Sequence, residues 1–240
     1  MTRRVQRIID WIKEYFINNG PDCKAVIGIS GGKDSTVAAA LLCKAIGPEN
    51  VIAVQMPQGY QSDIDISNEV IEYLGIKEHY NINIGEACKA TFSSLPSDIR
   101  NLPQVVSNVP ARERMNILYA IAAARHGRVV NTCNRSENYV GYSTKFGDSA
   151  GDFSILDNYT VTEVKEIGSE LGLPEKFIEK VPEDGLTGLS DEENLGFSYK
   201  ILDNFLLYRI TPSYEVYKNI EQRHKRNLHK TEEMPTCPFF

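Results

Sequence analysis

The sequence predicts an α/β fold, a parallel sheet covered by helices on both faces, and three observations carry that expectation. Short apolar runs alternate with segments of helical period; the first of these runs ends in a glycine-rich turn; a later one ends in an Asn-rich turn. In chain order, residues 1–19 place Val5, Ile8, Ile9, Ile12, Tyr15 and Phe16 at helical spacing with Arg, Asp, Lys and Glu between them, which is an amphipathic helix that packs on a core or a partner. Strands are expected over 25–29, 51–56, 80–84 and 128–132. Helices are expected over 37–46, 64–74, 112–126 and 162–171, the last ended by Gly172 and Pro174. Apolar strands separated by helices imply right-handed crossovers and a sheet buried on both faces, whose ligands sit beyond the carboxyl ends of the strands. Two stretches, 92–110 with three prolines and 181–193 with Pro, Gly, Asp and Glu, read as loops, either lids or plain surface connections.

The richest stretch is Val26-Ile27-Gly28-Ile29-Ser30-Gly31-Gly32-Lys33-Asp34-Ser35-Thr36. A turn between a strand and an Ala/Leu-rich helix exposes backbone N–H groups at a helix N-terminus, where the dipole favours an anion. Glycine removes the Cβ that would hold a phosphate away from the backbone. Ser30, Ser35 and Thr36 add hydroxyls and Lys33 a positive charge, so the turn suits phosphate. It is not a Walker A loop, which needs four residues between its glycines and a hydroxyl residue directly after Gly-Lys; here three residues separate Gly28 from Gly32, and Asp34 follows Lys33. A carboxylate beside a phosphate cradle is repulsive unless a cation bridges them, so Asp34 points to Mg²⁺. The plainer alternative is a helix N-terminus capped by Ser and Asp.

The chain of 240 residues holds one large α/β domain or two small ones. Its net charge of -6 argues against broad nucleic-acid binding, which needs a basic face. Five cysteines (Cys23, Cys43, Cys88, Cys133, Cys237), an odd number with no CxxC pair, argue against a disulfide framework or a zinc site and point to a reducing cytoplasm. No signal peptide and no membrane-spanning run are expected.

The turn resembles the SGGxDS signature of the PP-loop ATP pyrophosphatases, which cleave ATP between its α- and β-phosphates. Taken with Arg128-Val-Val-Asn131-Thr132-Cys133-Asn134-Arg-Ser-Glu137, Gly141-Tyr-Ser-Thr-Lys145-Phe-Gly-Asp148-Ser-Ala-Gly-Asp152 and Val109-Pro-Ala-Arg112-Glu-Arg114, the chain resembles the ammonia-dependent NAD synthetases, a branch of that superfamily. The block Leu195-Gly-Phe-Ser-Tyr199 looks like the helix that follows this family's lid. The resemblance runs from about the first helix to the C-terminal tail. It implies a Rossmann-like (adenine nucleotide alpha hydrolase-like) sheet and one domain over 1–240, with a tail from about 215 that reaches a partner subunit of a homodimer. It implies that Gly28, Ile29, Ser30, Gly31, Gly32, Lys33, Asp34 and Ser35 hold the ATP phosphates, with Asp34 and Lys33 as catalytic groups, and that Thr132 holds the adenosine part. Asp34 and Glu137 resemble the family's Mg²⁺ ligands, and two hard carboxylates completed by phosphate and water oxygens suit that ion. Glu137 also suits the first turn of a helix, where an acid complements the dipole. Arg112, Lys145 and Asp152 match positions that bind deamido-NAD; His224 and Lys225 match a pair that reaches it from the neighbouring subunit, and they equally suit a basic tail beside Arg223, Arg226, His229 and Lys230.

The chain departs from the family pattern in three places. Val161 stands where many members carry a phosphate-binding Lys at a helix start, with Lys165 one turn on; Glu183 stands where a lid Ser or Thr is expected; Lys33 stands where several carry Gln. Lys33 or Lys165 then takes over the pyrophosphate charge. The implied chemistry is adenylation of the nicotinate carboxylate by ATP, then attack of ammonia to give NAD and AMP. Cys133 has no covalent role in it, and Asp148 or Asp152 is the carboxylate that would take a proton from ammonium. No glutaminase region is expected in the chain, so the nitrogen donor is free ammonia, with a separate glutaminase as its source. Two rivals stand against this reading. Another PP-loop enzyme, such as a tRNA thiolase, would need reactive cysteines or a basic face; an ATP-binding regulatory module would not need both metal carboxylates.

Overall fold

The computed structural model describes residues 2–59, 64–179 and 190–238. Helix α1 (Arg3–Asn19) is capped by Thr2, whose hydroxyl accepts from the Val5 N–H, and it buries Val5, Ile8, Ile9, Ile12 and Phe16 as its periodicity requires. It is followed by β1 (Lys24–Gly28), α2 (Lys33–Ile46), β2 (Val51–Gln55), α3 (Ile64–Leu74), β3 (Glu78–Asn81), α4 (Gly85–Ser94), α5 (Pro103–Arg125) and β4 (Gly127–Asn131). Then come α6 (Arg135–Val140), β5 (Phe153–Ser154), α7 (Val161–Glu170), α8 (Glu175–Ile178), α9 (Asp191–Leu195), α10 (Tyr199–Tyr208) and α11 (Tyr214–Asn227). No helix among the described residues is long and apolar enough to cross a membrane.

The five strands form one parallel sheet in the order β3-β2-β1-β4-β5. The chain therefore runs outward from β1 to β3 and returns to the other side of β1 as β4. The reversal opens a crevice beyond the carboxyl ends of β1 and β4, the switch point at which such sheets bind ligands. Both glycine-rich and Asn-rich turns end there. The core accounts for the apolar runs: β2 is buried throughout, and α2, with Val37, Ala38, Ala39, Ala40, Leu41 and Leu42 all buried, is a central helix with apolar contact nearly all round. A second apolar cluster joins Val140, Val161, Leu195, Phe197, Tyr199, Leu202, Leu206 and Ile220, so α6, α7, α9, α10 and α11 form a layer of their own beside the crevice.

Three expectations change. Helix α2 begins at Lys33, four residues before the predicted start, so the glycine turn is short and the first helical turn itself carries Lys33, Asp34, Ser35 and Thr36. Strand β3 begins at Glu78; the predicted residues Ile82 and Ile84 still donate to the β2 side, to Gln55 and Pro57 carbonyls, beyond the ladder's end. Stretch 92–110 is mostly helical: it spans the end of α4, a turn at Pro96 and the first eight residues of α5. Pro103 sits in the first turn, where its missing N–H has no partner to lose, and Pro110 is tolerated inside the helix because Val109 packs with Ile84 and Cys88. The other predicted loop, 181–193, lies outside the described residues up to 189, Glu183 included; from Ser190 it is the capped start of α9.

Candidate active site

The crevice holds a cavity of about 240 Å³ lined by Ser30, Gly32, Asp34, Ser35, Thr132, Cys133, Glu137, Tyr142, Asp148 and Asp191. Its first wall is the β1–α2 turn. Gly31 takes φ +80°, a conformation open to glycine and strained for other residues, and Gly32 occupies the N-cap with no side-chain acceptor for the first helical N–H groups. Ser30 and Ser35 hydroxyls lie 3.2 Å apart, and Ser35 Oγ donates to the Gly32 carbonyl at 3.1 Å. Thr36 Oγ1 also donates to that carbonyl, at 2.8 Å, and is fully buried, so it locks the turn and does not reach a ligand. Gly28 and Ile29 do not line the cavity; the Ile29 N–H donates to Val54 O, so these two shape the turn from behind.

The second wall is the β4–α6 turn. Asn134 caps α6 in a reciprocal box: its Oδ1 accepts from the Glu137 N–H at 3.0 Å, and Glu137 Oε2 accepts from the Asn134 N–H at 3.1 Å. The amide of the same Asn134 donates to Asp34 Oδ1 at 3.0 Å. One asparagine thus ties the two carboxylates that the sequence singles out, across 100 positions of chain. Lys33, with 2% of its side chain exposed, donates from Nζ to the other oxygen of Asp34 at 2.8 Å.

The electrostatics follow from burial. Desolvation and the charge of Asp34 push the Glu137 carboxyl well above the usual carboxylate range, against the opposing pull of Lys33. Burial alone would lower the Lys33 ammonium, but Asp34 and Glu137 outweigh it and hold it up at about 12, a fixed cation. Burial raises Cys133, whose Sγ donates to Asp148 O, so this thiol is no nucleophile. Asp148 is raised by burial and faces the cavity. Four carboxylates (Asp34, Glu137, Asp148, Asp191) line the cavity, with Lys33 paired to Asp34 and Lys230 acting on Asp148 from the tail, an arrangement that attracts a divalent cation. Among the described residues no three His, Cys, Asp or Glu side chains converge closely enough to hold a metal alone. Two carboxylates completed by a ligand's oxygens and water fit Mg²⁺.

The resemblance implies a glycine-rich turn and two carboxylates on one site, and a family model described as NAD synthase matches residues 4–235. The chain belongs to the NAD synthase family. Among its relatives, the NH(3)-dependent NAD(+) synthetase of Pyrococcus furiosus is 36% identical over 94% of this chain and 90% of the relative. The structure of an NMN synthetase from Francisella tularensis matches with a TM-score of 0.88 and 36% identity, covering 98% of this chain and 97% of that one. An NH3-dependent NAD synthetase from Campylobacter jejuni matches with a TM-score of 0.78 and 26% identity over the same shares, 98% and 97%.

Against the family pattern, the second set of predicted residues divides. Arg112, on α5, donates from Nε to Lys145 O at 3.3 Å, and Lys145 Nζ donates to His229 O, so these two meet at the loop after α6. Asp152 is apart from them: it is exposed, and its Oδ2 accepts from the Val129 N–H at 2.7 Å on the β5 side of β4, so of the two acids considered for ammonium only Asp148 faces the cavity. His224 and Lys225 are not at this loop either. The His224 ring stacks on Tyr139 with centroids 4.1 Å apart, its Nδ1 within 2.8 Å of Tyr139 O, while Lys225 is exposed on α11. The basic pair that reaches the loop within the chain is His229–Lys230, with Lys230 Nζ donating to Gly141 O at 2.7 Å and Ser143 O at 2.8 Å. Lys165 is likewise removed, paired with Glu179 at 2.6 Å, and the buried Val161 N–H donates to Ser136. Of Lys33 and Lys165, it is Lys33 that lies beside Asp34 and Glu137. Asn134, Asp191 and Tyr142 join the site beyond the predicted residues; of these Asn134 carries a local signal, because Asn134-x-x-Glu137 is a capping box.

Proposed function

We propose that this chain amidates the nicotinate carboxylate of deamido-NAD with ammonia, using ATP and giving NAD, AMP and pyrophosphate, the final step of NAD biosynthesis. The observation that carries the reading is the Asn134 bridge, which sets Asp34 of the phosphate turn and Glu137 of the second turn on one cavity. Free N–H groups at the start of α2 and the hydroxyls of Ser30 and Ser35 offer donors to a phosphate chain. Asp34 and Glu137 would hold Mg²⁺, which supplies charge neutralisation to the polyphosphate and to the leaving pyrophosphate. Lys33 adds a fixed positive charge at the same place. Carboxylates are poor acyl donors, so transfer of AMP to the substrate carboxylate supplies the leaving group that ammonia then displaces. Asp148, buried and raised, is the acid–base group for the ammonium proton. Arg112 and Lys145 would receive the anionic substrate. We read the chain as one catalytic domain that works as a homodimer.

A second reading changes one reactant: the acceptor is nicotinate mononucleotide, and the product NMN. The higher TM-score with the Francisella tularensis NMN synthetase favours it. One assay tests both. Purified protein with Mg²⁺, ATP and ammonium is given each acceptor in turn; equal yields of AMP and amide product support the ligase, and the acceptor with the higher kcat/KM selects the reading. ADP in place of AMP, or no AMP with either acceptor, overturns both.

A further inference from the structure

Tyr199 opens α10, with its N–H held by Glu192 Oε1 at 2.8 Å and its ring in the cluster of Phe197 and Leu202. Only 5% of the residue is exposed. Its hydroxyl is buried and has no hydrogen-bond partner among the described residues, although a phenylalanine would fill the same apolar place. An unpaired buried hydroxyl costs stability, so its presence calls for a partner from outside the fold. Glu137, Asp191, Asp34 and Tyr142, which act electrostatically on that hydroxyl, all line the cavity, and Tyr199 packs directly behind that wall. The face of the same ring lies under the Lys33 ammonium, with Nζ 5.9 Å from its centroid, at the limit of a cation–π contact.

We propose that Tyr199 is a further ligand-binding residue of this site: its hydroxyl donates to an oxygen of the ATP phosphate chain, and its ring holds Lys33 for the same chain. Resting on the ligase reading, the inference adds a third element to the phosphate site, one delivered by α10 and not by either strand-end turn. Phosphate oxygens are the acceptors such a site draws in, and a phenol donates to them at ordinary hydrogen-bond length. Lys33, whose one ion-pair partner among the described residues is Asp34, gains a second anion from the same ligand.

Tyr199→Phe, in the full chain, removes the hydroxyl and leaves the ring. With Mg²⁺ and the non-cleavable analogue α,β-methylene-ATP as the calorimetric probe, the dissociation constant is expected to rise about tenfold or more, as for one hydrogen bond to a charged acceptor. The melting temperature of the ligand-free variant is expected to stay level or rise, because an unsatisfied buried group has gone. In turnover assays KM for ATP rises while KM for the acceptor carboxylate holds. An affinity within twofold of the parent overturns the proposal, whatever the melting temperature does. If the parent chain binds the analogue and, given ATP itself, releases pyrophosphate, that result leaves the ligase reading standing; a parent that binds no nucleotide sinks both.

Discussion

The two turns that face each other across the crevice are built in opposite ways. The β4–α6 turn uses its side chains on itself: Asn134 and Glu137 satisfy each other's backbone N–H groups in a closed box. The β1–α2 turn has Gly32 at the corresponding position and no side-chain cap at all. A helix N-terminus left open in this way retains donors for a ligand, whereas a closed one holds its shape without one. The contrast teaches that the first turn is shaped for binding and the second for positioning. Asn134 joins them by handing its remaining amide donor to Asp34.

The strongest way to break that comparison is at Asp34. Asp34→Ala removes the carboxylate of the open turn, and pyrophosphate release is expected to fall by about a thousandfold or more; the circular-dichroism spectrum keeps the parent's shape while the melt moves down, since the buried Lys33 loses its ion-pair partner. Near-normal release would remove Asp34 from the metal site. A second cut separates two lysines: Lys33→Met should lower kcat/KM by about a hundredfold, the scale of one lost charge at a phosphate, and Lys165→Met by less than about twofold. Equal effects would contradict the placement of Lys33 as the cation of the open turn. A third cut severs the bridge. Asn134→Ala should reduce turnover by about ten- to a hundredfold through a mis-set Asp34, and lower stability by about 1 kcal/mol through the lost cap. A loss of stability without loss of turnover would mean that the bridge is only a cap.

The smallest effect is also the most specific. Glu137→Gln keeps the box, since an amide oxygen serves as well as a carboxylate there. The folded Glu137 has its pKa raised, so the native state binds more protons than the unfolded one and this group's contribution to stability declines as pH rises past the unfolded carboxylate value near about 4.3. The Gln variant should therefore melt level with the parent at pH 4.5 and about 2–4 °C above it at pH 8, the shift expected for about 1 kcal/mol in a chain of this size. A lower melting temperature at pH 8 would show that the charge stabilises the ligand-free fold.

Much of this arrangement is legible in sequence because its causes are local. Apolar runs and helical periods placed the central strands, α1 and α3, and the glycine turn announces its use by what a turn needs in order to meet phosphate. Glu137 is legible twice over, as a helix-start acid and as a cavity carboxylate, and it is both at once. The rest depends on contacts between distant residues. Nothing local says that Asn134 will meet Asp34, or that Tyr199 will lie beside Lys33. The run of prolines and polar residues over 92–110 reads as a loop until Val109 packs with Ile84 and Cys88 and the helix runs through the buried Pro110. Two His-Lys pairs stand five residues apart in the tail, and only packing decides that the later one meets the loop after α6.

The sheet order carries a consequence for how the chain is born. Strand β1 lies at the centre, yet one of its two edges pairs with β4, whose first residue is Gly127. A ribosome that has released the first hundred residues has exposed β1, β2 and β3 with that inner edge still bare. Strand edges of this kind recruit other strands, and parallel pairings that wait for distant sequence form slowly. The same long excursion that creates the crevice thus leaves the nascent chain with its most aggregation-prone surface open, and the interval closes only when Gly127–Asn131 arrives to seal it.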